Sequence, residues 1–320
     1  MVQNGQGHGL PFCSLVFMLH FFQSSKQALD QGSDAMMHAV KFMGILRFLG
    51  LGAYFTFALG PILWIAMMSL KNSNDVIASP PKFVFTPTTE NYKAITIGQS
   101  AQKMETVRSD YPKYFLNTLI IASATVAVSL LLGTFAAYGL ARFSFRFKED
   151  IAFTFLSFRF APELMVILPL YVVFQKAGLI DSYSGLTAAY QLITLPFMIW
   201  VLRGFFEDIP REIEQAARVD GYTWWGVFRK ISLPLVKPGI AAVVILSFIF
   251  AWNNFIFSMI LGGERTQTVT LGILGFIGYE RVLWGQMAAA TMICVIPELI
   301  LAFFVQNYIV RGLTFGALKR

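Results

Sequence analysis

The chain of 320 residues is 56% hydrophobic and only 13% charged, with a mean hydropathy of +0.61. In soluble domains about a quarter of the residues are charged, so this composition excludes a soluble globular domain and indicates a membrane protein. The net charge of +7 does not indicate nucleic-acid binding, because the basic residues stand singly in short segments between apolar runs. Cys13 and Cys294 predict neither a disulfide framework nor a zinc site.

Six apolar segments are long enough to cross a bilayer, which takes about 20 residues in a helix. We predict spans at 45–70, 115–141, 151–174, 185–206, 239–261 and 285–310. The chain is therefore expected to be an all-α membrane protein with six transmembrane helices. The second span is rich in Ala, Gly, Ser and Thr, and small residues let helices approach closely, so we expect it to lie centrally.

Residues 1–44 precede the first predicted span and form an N-terminal extension. Their apolar run at 10–22 is too short to cross a bilayer and lacks the basic start and cleavage site of a signal peptide. We expect the extension to be a disordered or interfacial cytoplasmic tail; the alternatives are an over-extended start with true initiation at Met36, Met37 or Met43, and then a functional element.

Basic residues predict the orientation, because cytoplasmic loops carry an excess of Lys and Arg. The loops on the side of the termini hold Arg142, Arg146, Lys148, Arg203, Arg211, Arg218, Arg229, Lys230, Lys237, Arg311, Lys319 and Arg320. Both termini and the segment 207–238 are thus expected in the cytoplasm. The segments 72–113 and 262–284 are expected on the opposite side, and the first is long enough to carry a short helix.

Motifs of chemical catalysis are missing from the sequence. It contains no phosphate-binding loop, no His-Glu-x-x-His, no Cys-x-x-Cys and no Gly-x-Ser-x-Gly, and its three His residues all lie within the first forty positions. We therefore expect no enzyme activity and no cofactor in this chain. Its function must depend on passage through the membrane or on partner proteins.

Two groups of polar residues inside predicted spans are candidates for a substrate path. Arg159 and Glu163 are four residues apart in the third span, which would place them on one helical face, either lining a path or forming a structural ion pair. In the fifth span, Asn253 and Asn254 follow Trp252. Amides beside aromatic faces suit a neutral polyhydroxylated ligand, but they also suit hydrogen bonds between helices.

The polar segment 207–238 interrupts the apolar pattern between the fourth and fifth spans. Pro210 favours a helix start, and Gly221 favours a helix end because the left-handed cap conformation suits glycine. A helix between them has about three turns and would be unstable alone in water, so it needs a partner surface. Thr223 can cap a second short helix. The apolar residues of the first helix are Ile213, Ala216, Ala217 and Val219.

An amphipathic connector resting on lipid headgroups would also explain this segment. The apolar residues at its centre are Ala rather than Leu or Phe, however, and they would bury little surface in lipid. A protein partner is therefore the favoured interpretation.

The sequence Gln215-Ala216-Ala217, then Gly221, then nine residues and Ile231-Ser232-Leu233-Pro234, resembles the EAA loop of bacterial ABC-importer permeases. Further short stretches are similar to the second permease of maltose-type carbohydrate importers, from about Ile45 to Arg320. They are Pro61-Ile62-Leu63-Trp64, Ser69-Leu70-Lys71, Pro80-Pro81-Lys82-Phe83, Glu90-Asn91-Tyr92, Phe115-Leu116-Asn117-Thr118, Pro169-Leu170-Tyr171 and Val310-Arg311-Gly312-Leu313-Thr314.

The resemblance implies the type I ABC importer permease fold and a complex of several chains. These would be a sister permease subunit, a pair of ATPase subunits that bind ATP and Mg, and an extracytoplasmic solute-binding protein. The implied function is import of a carbohydrate (sugar, oligosaccharide or polyol) across the bacterial inner membrane. The resemblance implies contact with the ATPase through a coupling helix at 210–221 and a second contact through the tail 312–320. The residues implied in coupling are Glu214, Gln215, Ala216, Ala217, Asp220, Gly221, Ile231, Leu233 and Pro234.

One position departs from the family pattern. The usual glutamate of the motif, which in this family is thought to meet an Arg of the ATPase, falls on Gln215, and Glu214 stands just before it. Either Glu214 takes over the contact or the contact becomes a neutral hydrogen bond. We expect Gly221→Ala or Ala217→Glu to leave the protein in the membrane but to uncouple transport from ATP hydrolysis.

Three other functions fit the membrane spans. A permease for another solute would share the loop but not the other matches. A secondary transporter would leave the spacing between Gly221 and Pro234 unexplained, and the sequence shows no inverted repeat. A channel or membrane scaffold would leave it unexplained as well.

Overall fold

The computed structural model describes residues 43–97, 110–160, 163–278 and 282–317, with the backbone alone for Arg159 and 305–317. Within these ranges the regular elements are helices, apart from one isolated bridge between Ile277 and Val282. The predicted all-α fold is confirmed. The extension 1–42 and most of the segment 98–110 lie outside the described residues.

The helices follow one another with short connections. In chain order they are α1 (Met43–Ser69), α2 (Ser73–Val76), α3 (Glu90–Ile97), α4 (Tyr111–Arg142), α5 (Lys148–Arg159), α6 (Glu163–Lys176), α7 (Tyr183–Glu207), α8 (Arg211–Val219), α9 (Trp224–Val227), a π-helical turn (Phe228–Ser232), α10 (Leu233–Leu235), α11 (Lys237–Trp252), α12 (Ile256–Leu261), α13 (Val269–Leu274) and α14 (Trp284–Ala317).

Four of these helices, α1, α4, α7 and α14, are long and apolar enough to cross a membrane by length and composition. Two bent pairs of shorter elements also pass this test together. They are α5 with α6, and the elements Trp224–Leu235 with α11, which meet at 72°. The described chain thus has four candidate spans, or six if each bent pair counts as one.

The third and fifth predicted spans are not single straight helices, which corrects the sequence interpretation. In the third, α5 ends at Arg159 and α6 begins at Glu163. The sequence has Pro162 in this gap, and proline removes a backbone donor and disfavours helix at the residue before it. In the fifth, α11 ends at Trp252 and a short turn separates it from α12. In the sixth, the single helix α14 (Trp284–Ala317) contains the whole predicted span 285–310.

The contacts of the chain divide it into two units, Met1–Trp64 and Ile65–Arg320. In the first unit, the described residues belong to α1, whose large apolar side chains are exposed; Phe48 and Phe57 are examples. In the second unit, α2 and α3 lie within the segment 72–113, which confirms that this polar segment carries helices of its own.

Helix α4 has the central position that its small residues predict. It packs against α7 and α11. At Gly133 an added Cβ atom would lie 3.2 Å from the Cγ atom of Met198, so the glycine permits the close approach of α7. Nearby, the hydroxyl of Ser129 lies 2.7 Å from that of Thr194, which gives buried polar groups of the two helices a partner.

Candidate functional site

Helix α8 is the predicted short helix of the polar segment, and its end has the predicted geometry. Gly221 adopts a φ of +90°, in the left-handed region. The backbone N–H of Tyr222 donates to the carbonyl of Ala217 at 3.1 Å, and that of Gly221 donates to the carbonyl of Arg218 at 3.1 Å. This is the Schellman arrangement, which needs a residue that tolerates positive φ at this place, and glycine does so without strain. The prediction that Gly221 ends the helix is confirmed.

The two faces of α8 have different environments. The side chains of Glu214 and Ala217 are turned into the protein, with 3% and 6% of their surface exposed. Gln215 and Ala216 are exposed, as is Val219, with 88% of its surface accessible. The Ala-rich set of the sequence analysis is thus divided, since Ala217 contacts the protein's own helices whereas Ala216 and Val219 face outward.

The carboxylate of Glu214 is held by two residues that come from other elements. Nε of Arg142, the last residue of α4, lies 2.5 Å from Oε2 of Glu214, an ion-pair contact rather than a well-aligned hydrogen bond. The hydroxyl of Ser232 donates to Oε1 of Glu214 at 2.6 Å. Nη2 of Arg142 also donates to the carbonyl of Ile209 at 3.0 Å. We call these residues the Arg142–Glu214–Ser232 cluster.

This cluster is almost completely excluded from water. The side chains of Arg142 and Glu214 are each 4% exposed, and Ser232 is fully buried. A buried charge is tolerated only when it is paired and hydrogen-bonded, and each charge here is compensated by the other. Removal of either partner would leave an uncompensated charge inside the protein.

The Ile-x-Leu-Pro part of the motif places Ser232 next to α8. Pro234 has no N–H, so the regular helical hydrogen bond at its position cannot form. The chain forms a π-helical turn just before it, closed by the N–H of Leu233 donating to the carbonyl of Phe228. Leu233 packs in the core around Phe228 and Phe206, Ile231 is half-buried and Pro234 is exposed.

Aromatic rings pack together next to the cluster. The ring of Tyr138 lies 4.8 Å from that of Phe228 and 5.3 Å from that of Phe206, measured between centroids. Behind α8, Thr223 caps α9 by accepting a hydrogen bond from the N–H of Gly226 at 3.2 Å, as the sequence predicts. Asp220, another residue of the predicted coupling set, is exposed at the end of α8.

The predicted substrate-path residue Trp252 lies in the protein core. It is fully buried, and its Nε1 donates to the carbonyl of Cys294 at 3.1 Å. Its ring stacks with Phe248 at 5.5 Å and meets the edge of Phe115 at 5.3 Å. These contacts join α11 to α4 and α14, so they are contacts of helix packing.

Its neighbours Asn253 and Asn254 differ in exposure. Asn254 is buried, and its Oδ1 accepts a hydrogen bond at 3.1 Å from the N–H of Phe257 in the first turn of α12. Asn253 is exposed and donates to the carbonyl of Ile249 at 3.1 Å. These local bonds favour a structural role for Asn254, and a place in the substrate path stays a prediction for Trp252, Asn253 and Asn254.

Arg159 and Glu163 do not share a helical face, contrary to the sequence interpretation. They end one helix and begin the next, so the four-residue spacing does not place them one turn apart. The side chain of Arg159 lies outside the described residues, and a substrate-path role for the two stays a prediction.

Sequence reasoning missed Arg142 and Ser232 as parts of the site. Arg142 was used only as a topology marker, although it directly follows the apolar stretch of the second span. Ser232 occupies the variable place in Ile-x-Leu-Pro, and its hydroxyl within an apolar run was the available signal. Neither residue lies near Glu214 in sequence, so no local pattern could connect them.

Comparison of the sequence with known protein families identifies the class of this chain. Residues 129–315, more than half of the chain, match the family model of the binding-protein-dependent transport system inner membrane component. The chain belongs to this family. It is accordingly a multi-pass membrane protein and a permease of the ABC-transporter class, which confirms the resemblance stated from the sequence.

The permease is similar to named relatives over most of its length. It is 31% identical over 261 residues to the trehalose/maltose transport system permease MalG of Thermococcus litoralis, covering 81% of this chain and 91% of the relative. It is 33% identical over 267 residues to the trehalose transport system permease SugB of Mycobacterium tuberculosis, covering 82% and 93%.

Solved structures support the fold of the permease. A chain of a bacterial ABC transporter for import of the acidic polysaccharide alginate aligns with a TM-score of 0.68 at 22% identity, covering 84% of this chain and 96% of the other. At this identity the similarity establishes the fold alone. The predicted type I importer fold is thereby confirmed.

Proposed function

We propose that the permease imports a carbohydrate across the bacterial inner membrane, driven by a separate ATPase that docks on the outer face of α8. The chain supplies half of a transmembrane path and the docking helix, and a sister permease subunit supplies the other half. The ATPase binds ATP and Mg, and the permease chain itself takes part in no chemical step.

The exposed face of α8 is the observation that carries this proposal. Val219 presents 88% of its surface on a nine-residue helix whose opposite face is anchored in the protein. An isolated helix of this length would not persist in water. Ile213, Ala216 and Val219, spaced three residues apart, are all exposed on α8, and a continuous apolar strip on an anchored helix is typical of a contact with another protein. The small side chain of Ala216 in this strip allows close approach of the partner.

The exposure of Gln215 and the burial of Glu214 favour a neutral hydrogen bond from Gln215 as the contact with the ATPase. Gln215 is exposed on the docking face, whereas the carboxylate of Glu214 is already bound by Arg142 and Ser232. The amide of Gln215 can donate and accept hydrogen bonds, so it can pair with an Arg or with a backbone group of the ATPase. Glu214 is left with a role inside the permease.

The class of substrate follows from the relatives. Several relatives that match over about four fifths of this chain are named for trehalose, maltose or diacetylchitobiose, all of which are carbohydrates. On this basis we expect a solute-binding protein on the outer side to deliver the sugar, and the segments 72–113 and 262–284 to face it. Both termini and α8 then lie in the cytoplasm, as the distribution of basic residues predicts.

The proposal is tested by ATP-driven uptake in proteoliposomes that contain the permease, its sister subunit and the ATPase. The matching binding protein is added with radiolabelled trehalose, maltose or diacetylchitobiose. We expect ATP-dependent accumulation of at least one of them. Accumulation driven by a proton or sodium gradient without ATP would overturn the proposal in favour of a secondary transporter.

A variant of the docking face gives a second measurement. Val219→Glu places a charge on the apolar contact and is expected to abolish co-purification of the ATPase while the permease stays in the membrane. Val84→Glu is the matched control for this association, because Val84 is 93% exposed and lies in the segment expected on the other side. Equal ATPase recovery with both variants would contradict docking on α8.

A further inference from the structure

Four separate segments of the permease meet at the carboxylate of Glu214. Glu214 belongs to α8, Arg142 ends α4, Ser232 ends the π-helical turn, and Ile209, which accepts a hydrogen bond from Arg142, lies in the turn between α7 and α8. Three of these segments are connected to candidate membrane helices: Arg142 ends α4, Ile209 follows α7, and the π-helical turn precedes α10 and α11. A displacement of α8 therefore acts on several of them through a single side chain.

The chemistry of this contact makes it stiff. The carboxylate uses both oxygens, one in an ion pair with the guanidinium of Arg142 and one as the acceptor of the hydroxyl of Ser232, and such charged contacts are strong in a dry environment. The aromatic rings of Tyr138, Phe206 and Phe228 close the space around it. Packed and paired groups of this kind have discrete arrangements and do not deform continuously.

Backbone connections alone would not hold α8 in this way. Gly221 follows the helix in the left-handed conformation, and Pro210 precedes it. Both are turn residues that redirect the chain, so a helix of nine residues between them can pivot unless its inner face is fixed. Glu214 and Ala217 are the residues of that inner face, and Glu214 has the polar anchor.

We propose that the Arg142–Glu214–Ser232 cluster is a rigid joint that makes α8 move as one body with the end of α4 and the start of the fifth span. The inference rests on the proposed function, because the ATPase supplies the force on the outer face of α8. Arg142, Glu214 and Ser232 act as positioning residues. Glu214 thus connects α8 to the rest of the permease, whereas Gln215 belongs to the face of α8 that contacts the ATPase.

The test measures whether α8 and α4 keep a fixed distance during the ATP cycle. Spin labels are placed at Arg211 and Ser144, which are exposed at the start of α8 and just after α4, in a permease whose two cysteines are replaced by Ser. The complex with its ATPase is measured without nucleotide and after trapping with ATP and vanadate. We expect one narrow distance that nucleotide does not change.

Glu214→Gln removes the charge and keeps the shape of the side chain. We expect its distance distribution to broaden and to respond to nucleotide, while the complex still assembles and hydrolyses ATP. With trehalose as the probe, the sugar transported per ATP hydrolysed falls about tenfold, a typical size for coupling between sites. Ser232→Ala is expected to show the same change to a smaller extent, and it remains informative if Glu214→Gln does not assemble.

Glu207→Gln is the matched control, since Glu207 pairs with Arg203 at the end of α7 but is 44% exposed. It should behave like the wild type in both measurements. A wild-type distance that changes with nucleotide, or a Glu214→Gln variant with wild-type distances, would overturn the joint. A purely structural role would lower the amount of complex and leave the transport per ATP unchanged. Failure of the proposed function would instead appear as absence of ATPase association in the wild type.

Discussion

The two ends of α4 are held by different kinds of contact. At the end near Arg142, the partner is a side chain of a separate helix, Glu214 of α8. Toward the other end, at Asn117, which lies 25 residues and about 38 Å along the helix from Arg142, the partners are backbone groups of a loop. There the amide of Asn117 donates to the carbonyls of Arg265 and Gln267 at 3.0 and 2.9 Å.

A carboxylate takes part at each end, but in opposite ways. Asp181 accepts hydrogen bonds from the backbone N–H of Arg265 at 3.2 Å and from that of Thr266 at 2.9 Å, so it fixes the shape of the loop residue by residue. Glu214 accepts only from side chains, so it fixes the position of a helix as a unit and leaves the outer face free. The bonds of Asp181 therefore hold a loop in one shape. The bonds of Glu214 hold a whole helix, which can move as a unit when a partner acts on its outer face.

The largest effect is expected on the stability of the permease when the buried ion pair of α8 is broken. Arg142→Ala leaves the carboxylate of Glu214 buried without its cation, and breaking a buried pair costs about 3–5 kcal/mol. We expect a clear drop in the thermal unfolding temperature of the purified permease in detergent.

Lys93→Ala is the control for this experiment. Lys93 and Glu90 form an ion pair of which 54% and 41% of the side chains are exposed, so its loss should change stability by less than about 1 kcal/mol. Equal effects of the two variants would mean that the pair at α8 is not shielded from water as the structure indicates.

A smaller effect is expected from Gly221→Ala. No atom crowds a Cβ at this position, so the cost comes from the left-handed φ alone, about 1–2 kcal/mol. The protein should reach the membrane in normal amounts, but ATP-driven uptake of trehalose should fall because the end of α8 is misplaced. Gly221→Asn should lose less, since Asn tolerates this conformation better. Indistinguishable uptake in the two variants would argue against a role of the cap geometry.

Ala217→Glu is also expected to uncouple transport. The structure gives a different reason for this than a direct contact of residue 217 with the ATPase. Ala217 is buried against the permease itself, so the larger side chain would displace α8 from its seat and would not directly block the ATPase.

The smallest effect concerns the fixed loop at the other end of α4. Burial raises the pKa of Asp181, but hydrogen bonds from Thr266 and the backbone of Arg265 outweigh it and hold the pKa below its usual value. A lowered pKa in the folded state means that this carboxylate stabilises the loop above the ordinary pKa of Asp. That contribution is lost as the pH falls through the lowered value.

Asp181→Ala should therefore speed tryptic cleavage after Arg265 at neutral pH, without a change in global unfolding. Asp181 has a φ of +51°, so Asp181→Asn is the control that preserves the backbone preference and can still accept hydrogen bonds. Slow cleavage in both variants would show that the bonds of Asn117 suffice to hold the loop.

Properties that depend on composition and on local chemistry could be predicted from the amino-acid sequence. Apolar runs of sufficient length predict membrane spans because an unpaired backbone cannot enter lipid. Gly221 predicts the end of α8 because a left-handed cap is a local requirement, and Thr223 predicts the next helix start for the same reason. The spacing of the loop motif gave the family without any knowledge of contacts.

The direction of each side chain in the site, by contrast, depends on long-range packing and could not be predicted. Of two adjacent residues of α8, Glu214 is buried and Gln215 is exposed, and the local sequence gives no means to choose which of them faces inward. The choice depends on Arg142 and Ser232, which lie 72 and 18 positions away and are brought together by the packing of α4, α7 and the π-helical turn. A buried charge selects its position by where its counter-charge lies in space, and that information is absent from any local segment.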